Sequence, residues 1–410
     1  MQVLFRGISQ LVTCRGGAKR GTAMRDLGVI EDGAILVENG KIKAVGTRQD
    51  LEKEYRGEIY ECGNKLVMPG FVDSHTHLIF GGQRADEFGW RLRGDSYLSI
   101  MNRGGGIVKT VEATRTASFY ELKERAKKYL TQMRAMGVTT CEIKSGYGLD
   151  LHTERKQLEV IAALKDVQPT QLTATFMGAH AVPTGKTADE YINFCIEESL
   201  PAVVREGLCE FADVFIEEGA FTVRQAEAYL RRAQSLGLKI KLHADEMTSL
   251  GGTELGILLK ACSVDHLLKI REDAIEKLAK TDTVATVLPL TTFCLGEEYA
   301  PARKLIDAGA TVAAASDFNP GSCCTYSIPL LIALLCIYMK LSIEETITAL
   351  TINGAKACGK EAVAGSIEKG KRADFVLFDC DHYRCLPYYT GLNLVEKVFI
   401  EGEQVYGNVA

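Results

Sequence analysis

Eight short apolar runs alternate with helical patterns along this 410-residue chain. Histidines and carboxylates collect where those runs end. Residues 1–65 and 362–410 break the rhythm with short β-like runs of their own. Together these observations predict an α/β fold: a TIM-type (β/α)8 barrel over residues 66–361, with a small β-sandwich built from both termini, 1–65 and 362–410.

The first flank carries β-like runs at 34–38 and 41–45, joined by Asn39-Gly40, a strong tight-hairpin signal. The first barrel run reads Lys65-Leu66-Val67-Met68-Pro69-Gly70-Phe71-Val72-Asp73. Apolar, β-branched runs then recur at 139–144, 172–177, 211–216, 239–243, 263–266, 284–288 and 311–315. Apolar residues at three-four spacing mark helices at 120–136, 154–164, 190–204, 224–236, 274–278 and 302–308. Gly137, Gly207, Gly237 and Gly309 stand where four of these stop. Short, wholly apolar strands alternating with helices imply a parallel sheet covered on its outer side. A doubly wound open sheet would show a glycine fingerprint after its first strand, and none follows. The last flank has runs at 374–378 and 397–400 with a turn at Gly402. Neither flank has enough residues to bury a core alone, so the two ends should meet.

Composition narrows the function. The chain is 46% hydrophobic and 25% charged with a net charge of −5, and it has no basic stripe for nucleic acid. Lys123-Glu124-Arg125-Ala126-Lys127-Lys128 interleaves both signs and reads as a solvated helix face. The longest apolar run, 328–339, is too short to span a bilayer and reads as a buried helix. No secretory signal follows Met1. Thirteen cysteines, an odd number with no Cys-x-x-Cys pair, fit reduced thiols in a cytoplasmic protein, and adjacent Cys323-Cys324 reads as structural.

Functional residues of this barrel type sit where strands stop. Strand one leads to His75 and His77. Strand two ends in Lys144, before Ser145-Gly146-Tyr147-Gly148, and strand three runs into His180. Strand four ends in Glu217 beside Glu218, and strand five carries His243 with Glu246 three residues on. Strand six ends in Asp265-His266, and strand eight leads to Asp317. One histidine at a strand end is more often structural than a ligand. Five of the chain's seven at one mouth reverse that expectation, while His152 and His382 fall outside it. Lys144 could pair with a carboxylate, and Glu217 could face solvent.

Residues two apart on a strand share a face, so His75 and His77 present two imidazoles to one ion. With His243 and Asp317 they make a three-nitrogen, one-oxygen donor set suited to one zinc or iron per subunit. Such an ion acidifies bound water towards neutrality. Glu246 lies where it could exchange protons with a substrate, and His266 where it could orient water or polarise a carbonyl. A second ion on Glu217 and His266 is a lesser alternative.

These features resemble the amidohydrolase superfamily: Pro-Gly-Phe-Val-Asp before paired histidines, a later histidine, a strand-eight aspartate and a terminal sandwich. His243-Ala244-Asp245-Glu246 resembles its single-metal branch with a glutamate proton shuttle. Phe80-Gly81-Gly82-Gln83-Arg84, Gly104-Gly105-Gly106-Ile107, Lys144-Ser145-Gly146-Tyr147-Gly148, Met177-Gly178-Ala179-His180-Ala181-Val182-Pro183 and Asp317-Phe318-Asn319-Pro320-Gly321-Ser322 are similar to the imidazolonepropionases over nearly the whole chain. The resemblance implies hydrolysis of the ring lactam of 4-imidazolone-5-propanoate to N-formimidoyl-L-glutamate, the third step of histidine degradation. Metal-bound hydroxide would attack the ring carbonyl, Glu246 would protonate a ring nitrogen, and Asp317 or His266 would take the water proton. Arg84 would pair with the propionate, helped by Tyr97 and Tyr147, with His180, Asn319, Gly321 and Ser322 completing the pocket. For Arg84 a surface salt bridge with Asp86 or Glu87 is the alternative. A homodimer is implied by resemblance only. Two rival functions are a superfamily deaminase acting on a nucleobase-like ring and a scaffold that has lost its chemistry. The 103–106 segment reads as a flap or a plain turn, since it lacks the spacing of a phosphate loop.

Overall fold

The computed structural model of the chain describes residues 2–53, 55–95, 103 and 105–407. Tyr97 and Gly104 therefore lie outside the described residues.

Among the described residues the two termini share one seven-stranded sheet. Gln2–Leu11, Ile30–Glu38, Lys41–Thr47 and Glu58–Pro69 come from the first flank, and Phe375–Phe378, Val395–Ile400 and Glu403–Tyr406 from the last. Asn39 and Gly40 have φ of 50° and 76°, as a tight primed turn requires, and they pair Glu38 with Lys41. Gln2–Leu11 and Val395–Ile400 stand three strands apart, about 14 Å on a flat sheet. Yet the Phe5 and Phe399 rings lie 5.2 Å apart. The sheet therefore curls over, and Phe5, Val37, Ile42, Val67, Leu377 and Phe399 fill a sandwich-like core.

The apolar run at 65–72 belongs to two sheets, a difference from its reading as one strand. Pro69 still pairs with Phe375 in the terminal sheet, while Phe71 donates to Gly137 O (2.9 Å) in the barrel. Both halves are buried on both faces, so nothing in the hydrophobic pattern marks the crossing at Gly70. Gly70 has no room for a Cβ, which would collide with the Thr139 side chain.

The barrel strands are Phe71–Asp73, Val138–Lys144, Gln171–Ala179, Phe211–Val214, Lys239–Ala244, Ser263–His266, Val284–Val287 and Val312–Ala314, paired in parallel and in chain order. Its seam closes just beyond the first and last strands: Asp317 N donates to His75 O (3.0 Å) and His77 N to Phe318 O (2.9 Å). Three of the four candidate ligands, His75, His77 and Asp317, thus lie on the stitch that completes the cylinder.

Helices fall where the periodicity places them. Phe119–Arg134 starts in a Ser118/Glu121 capping box and Val223–Ser235 in a Thr222/Gln225 box. The apolar run at 328–339 departs from a simple buried helix. Ile328–Ala333 passes into a π-helical turn, Leu334–Tyr338, whose Ile337 and Tyr338 are exposed. No helix among the described residues is long and apolar enough to cross a membrane.

Candidate metal and active site

Four donors converge at the barrel mouth. His77 Nε2 lies 3.3 Å from both His75 Nε2 and His243 Nε2. Asp317 Oδ1 stands 3.5 Å from His75 Nε2 and 3.6 Å from His77 Nε2. Ligand bonds near 2.05 Å to a tetrahedral ion put donors about 3.35 Å apart. The observed spacings are those edges. His75 and His77 no longer sit inside a regular strand, which ends at Asp73. Thr76 between them bridges to Phe318 and donates to Glu142 O (2.6 Å), keeping the two imidazoles on one side.

Hydrogen bonds on the far side of two rings fix their tautomers. His75 Nδ1 donates to Asp265 Oδ2 (2.7 Å), and His243 Nδ1 to Asp213 Oδ1 (3.0 Å). Both Nε2 atoms therefore present lone pairs inward. A proton on His77 Nε2 satisfies at most one of the two lone pairs it faces, whereas one cation serves all three nitrogens, so the donor set fits a metal ion. Burial, with nearby positive charge, pushes the pKa of His75 and His77 well below the usual range, which keeps them neutral and ready to ligate.

Beneath the ligands lies a fully buried ion network. Lys144 Nζ meets Asp213 Oδ2 at 2.7 Å and Glu142 Oε1 at 3.0 Å; Lys241 Nζ meets Glu142 Oε2 at 2.6 Å and donates to Ser74 O at 2.8 Å. Both lysines lie further from Asp265 Oδ2, at 3.8 and 3.6 Å. Burial works against ionising Asp213, but the Lys144 charge and the hydrogen bond from His243 hold its pKa well below the usual carboxylate range. Lys144 is thus a carboxylate partner, one of the two roles open for it. Asp213, Glu142 and Lys241 were not singled out from sequence. The available signal was a charged residue at every second position of an otherwise apolar run: Glu142 with Lys144, and Lys241 with His243.

Glu246 and His266 face the donors. Glu246 Oε1 is 3.5 Å from His266 Nδ1, and neither ring nitrogen of His266 makes a hydrogen bond among the described residues. Two such orphaned nitrogens in a buried ring point to a ligand or water partner. Burial, reinforced by the Asp317 and Glu217 charges, pushes the Glu246 carboxyl up to about 8. Burial likewise raises Asp317 to about 7, against the Thr291 hydroxyl that donates to its Oδ2 at 2.6 Å. Glu217 does not face solvent. It accepts from the amides of Glu218 (3.0 Å), Met247 (2.9 Å) and Thr248 (3.1 Å), so it anchors the turn that carries Glu246. Both its oxygens are engaged, and it joins no metal-binding cluster among the described residues.

A cavity of about 680 Å³ opens over these groups. Arg84 lies in its wall with a side chain only 14% exposed, and its Nε and Nη2 donate to Glu87 Oε2 at 2.9 and 2.8 Å. The salt bridge to Glu87 exists, then, but inside the mouth rather than on the surface. Buried Tyr147 and half-buried His180 close the floor beside His77, with the His180 ring stacked 5.1 Å from it. His180 Nδ1 donates to Gly146 O (3.0 Å), leaving Nε2 as an acceptor. Asn319 uses its amide on its own loop: Nδ2 donates to Asp317 O, and Oδ1 accepts from the Gly321 and Ser322 amides, both at 2.8 Å. Arg91 enters the same wall and donates to Gly321 O (2.8 Å), a residue not anticipated from sequence.

Known proteins share this architecture. Residues 66–405 match the amidohydrolase family, and 33–57 match the imidazolonepropionase-like composite domain of bacteria. The chain is 53% identical to an imidazolonepropionase of Parabacteroides distasonis over 409 residues and 51% identical to one of Clostridium tetani over 411, covering 98% of both chains in each case. Among solved structures, an adenosine deaminase from Xanthomonas campestris with bound zinc superposes with a TM-score of 0.74 at 20% identity, over 99% of this chain and 93% of that one. Escherichia coli guanine deaminase gives 0.71 at 16%, over all of both chains. Those likenesses speak to the fold. The full-length likeness to curated relatives goes further, and the chain belongs to the amidohydrolase family, among the imidazolonepropionases.

Proposed function

We propose that this chain hydrolyses the ring lactam C–N bond of 4-imidazolone-5-propanoate, giving N-formimidoyl-L-glutamate in the third step of histidine degradation. The observation that carries the reading is a guanidinium-lined cavity opening directly onto His75, His77, His243 and Asp317, whose donor atoms stand 3.3–3.6 Å apart along the chain of contacts. A propionate tail needs a cation to balance its charge, whereas a neutral nucleobase brings none to balance. Relatives about half identical over their full length support the same substrate.

His75, His77, His243 and Asp317 would hold one zinc or iron ion per subunit. When bound, that ion supplies Lewis acidity and a water acidified towards neutral pH. The protein does the rest. Arg84, Tyr147, His180 and Ser322, with Tyr97, orient the substrate so that its ring carbonyl faces the donors. Asp317 or His266 takes the proton of the attacking water as its oxygen bonds to the carbonyl carbon. Glu246, protonated at neutral pH, gives its proton to the ring nitrogen as the C–N bond breaks. Asn319 and Gly321 build the loop that shapes the tail pocket.

The wider reading is a homodimer in the cytoplasm; the expected boundary at 65/66 moves to the crossing at Gly70, so that the barrel runs from there to 361 and the sandwich joins the strands before it to 362–410. Thirteen free cysteines suit a reducing compartment. The test is a spectroscopic assay of the purified, metal-analysed protein with freshly made imidazolone propionate. Turnover that scales with metal content is expected. A metal-loaded protein that deaminates a purine or pyrimidine and leaves imidazolone intact would overturn the reading.

A further inference from the structure

Two guanidiniums, not one, meet at Gly321. Arg91 Nη2 donates to Gly321 O at 2.8 Å, and a Cβ on Gly321 would collide with Arg84 Nη1. Both line the cavity over the metal donors. Their charges are not equivalent. Arg84 already spends two N–H groups on Glu87, a carboxylate only 2% exposed. Arg91 has no carboxylate within ion-pair distance among the described residues. Asp95, four residues on and beyond the end of the helix, pairs with Arg103 instead (3.1 Å). Ser96 to Asn102 and Gly104, outside the described residues, carry no acid in the sequence. Its charged neighbours are Arg84 and Glu87, which are already paired with each other, and the Phe88 ring lies 5.7 Å from the guanidinium.

Arg84, Arg91 and Glu87 sum to one positive charge; of the other charges on the cavity wall, Asp95 is paired with Arg103, and Lys269 and Glu297 cancel in number. A half-buried cation without a carboxylate partner is costly, and one monoanion would balance it. We propose that Arg91 is a specificity-determining residue. It supplies the uncompensated charge that selects a carboxylate tail, while Arg84, locked by Glu87, supplies the oriented fork. The proposal rests on the imidazolone propionate reading and deepens it. Arg91 also ties down the 319–322 loop through Gly321 O, so a purely loop-holding role is the alternative to exclude.

The test uses stable ring analogues in place of substrate. Inhibition constants of imidazole-4-propionate and of uncharged 4-propylimidazole are measured against the metal-loaded enzyme, Arg91→Met and Arg91→Lys. Metal content and thermal midpoint serve as folding controls. Loss of a charged hydrogen-bonding partner should weaken propionate binding by roughly ten- to hundred-fold in Arg91→Met. Propylimidazole should change less than about two-fold, and Arg91→Lys should restore part of the propionate affinity. Equal weakening of both ligands would assign Arg91 to loop support and overturn the proposal, as would unchanged propionate binding. Failure of the enzyme to turn over imidazolone propionate tests the parent reading separately. Charge selection lost in Arg91→Met would stand whichever ring is cleaved.

Discussion

Asp213 and Asp265 hold adjacent ligands, yet replacing each with asparagine should have unequal effects. Asp213 uses different oxygens for its two partners: Oδ1 accepts from His243 and Oδ2 from Lys144, the latter at 2.7 Å. An asparagine there must turn its one carbonyl oxygen to the lysine, because an amide N–H cannot face an ammonium. Its N–H then faces His243 Nδ1, and the ring proton must move to Nε2, the atom that faces the ion. Asp265 differs. Its Oδ2 alone serves His75 (2.7 Å) and stands 3.6–3.8 Å from the lysines, and its Oδ1 has no partner. In Asp265→Asn the new amide can keep its oxygen on His75 and place its N–H where Oδ1 was. Loss of a ligand's outer partner weakens metal binding by roughly 10–100-fold, about 1.4–2.7 kcal/mol. Asp213→Asn should therefore lose zinc affinity in that range, and Asp265→Asn by no more than about three-fold. Chelator competition on the purified variants measures both. Removing one charge from a buried ion network lowers thermal stability in either case. An Asp265→Asn affinity loss equal to or greater than that of Asp213→Asn would refute the tautomer argument.

Other outcomes follow from single contacts. Glu246→Gln should keep its metal and lose turnover by about 10²–10⁴-fold, because the amide has no proton to give; elemental analysis beside kinetics checks this. The Glu246 carboxyl, raised to about 8, binds its proton more tightly folded than unfolded. The stability it contributes is full below the unfolded value near 4.3 and is lost as pH rises through about 8. Metal-free wild type should thus lose about 2 kcal/mol more than Glu246→Gln between pH 5 and 8.5 in urea melts, allowing for partial exposure of the side chain. Gly321→Ala should displace Arg84 and raise KM about ten-fold with metal content unchanged. Gly70→Ala should cost about 1–3 kcal/mol through its collision with Thr139, and Thr139→Ala should recover part of that.

Much of the site was legible because chemistry interrupts pattern at strand ends. His75, His77, His243, His266 and Asp317 each follow an apolar run, and the period-two spacing of the first pair survives as a bridge after the strand itself has stopped. Asn39-Gly40 announced its hairpin for the same reason, a local backbone demand met by few residues. Three kinds of feature stayed hidden. The crossing at Gly70 lies in an apolar run buried on both faces, which looks the same in either sheet. Glu142, Asp213 and Lys241 sit inside strands, where a single charge reads as a misfit until its partners from other strands are known. Arg91 is the single cation of a short helix with two acids, Ala85–Leu92, where an arginine facing a cavity has the same local sequence as one facing solvent.

Metal K-edge absorption spectroscopy on the purified, stoichiometrically loaded protein examines the donor set most directly. One ion per chain is expected, with three imidazoles and carboxylate or water oxygens at about 2.0–2.2 Å. A sulfur shell near 2.3 Å, or a second metal scatterer at about 3.5–4 Å, would contradict it.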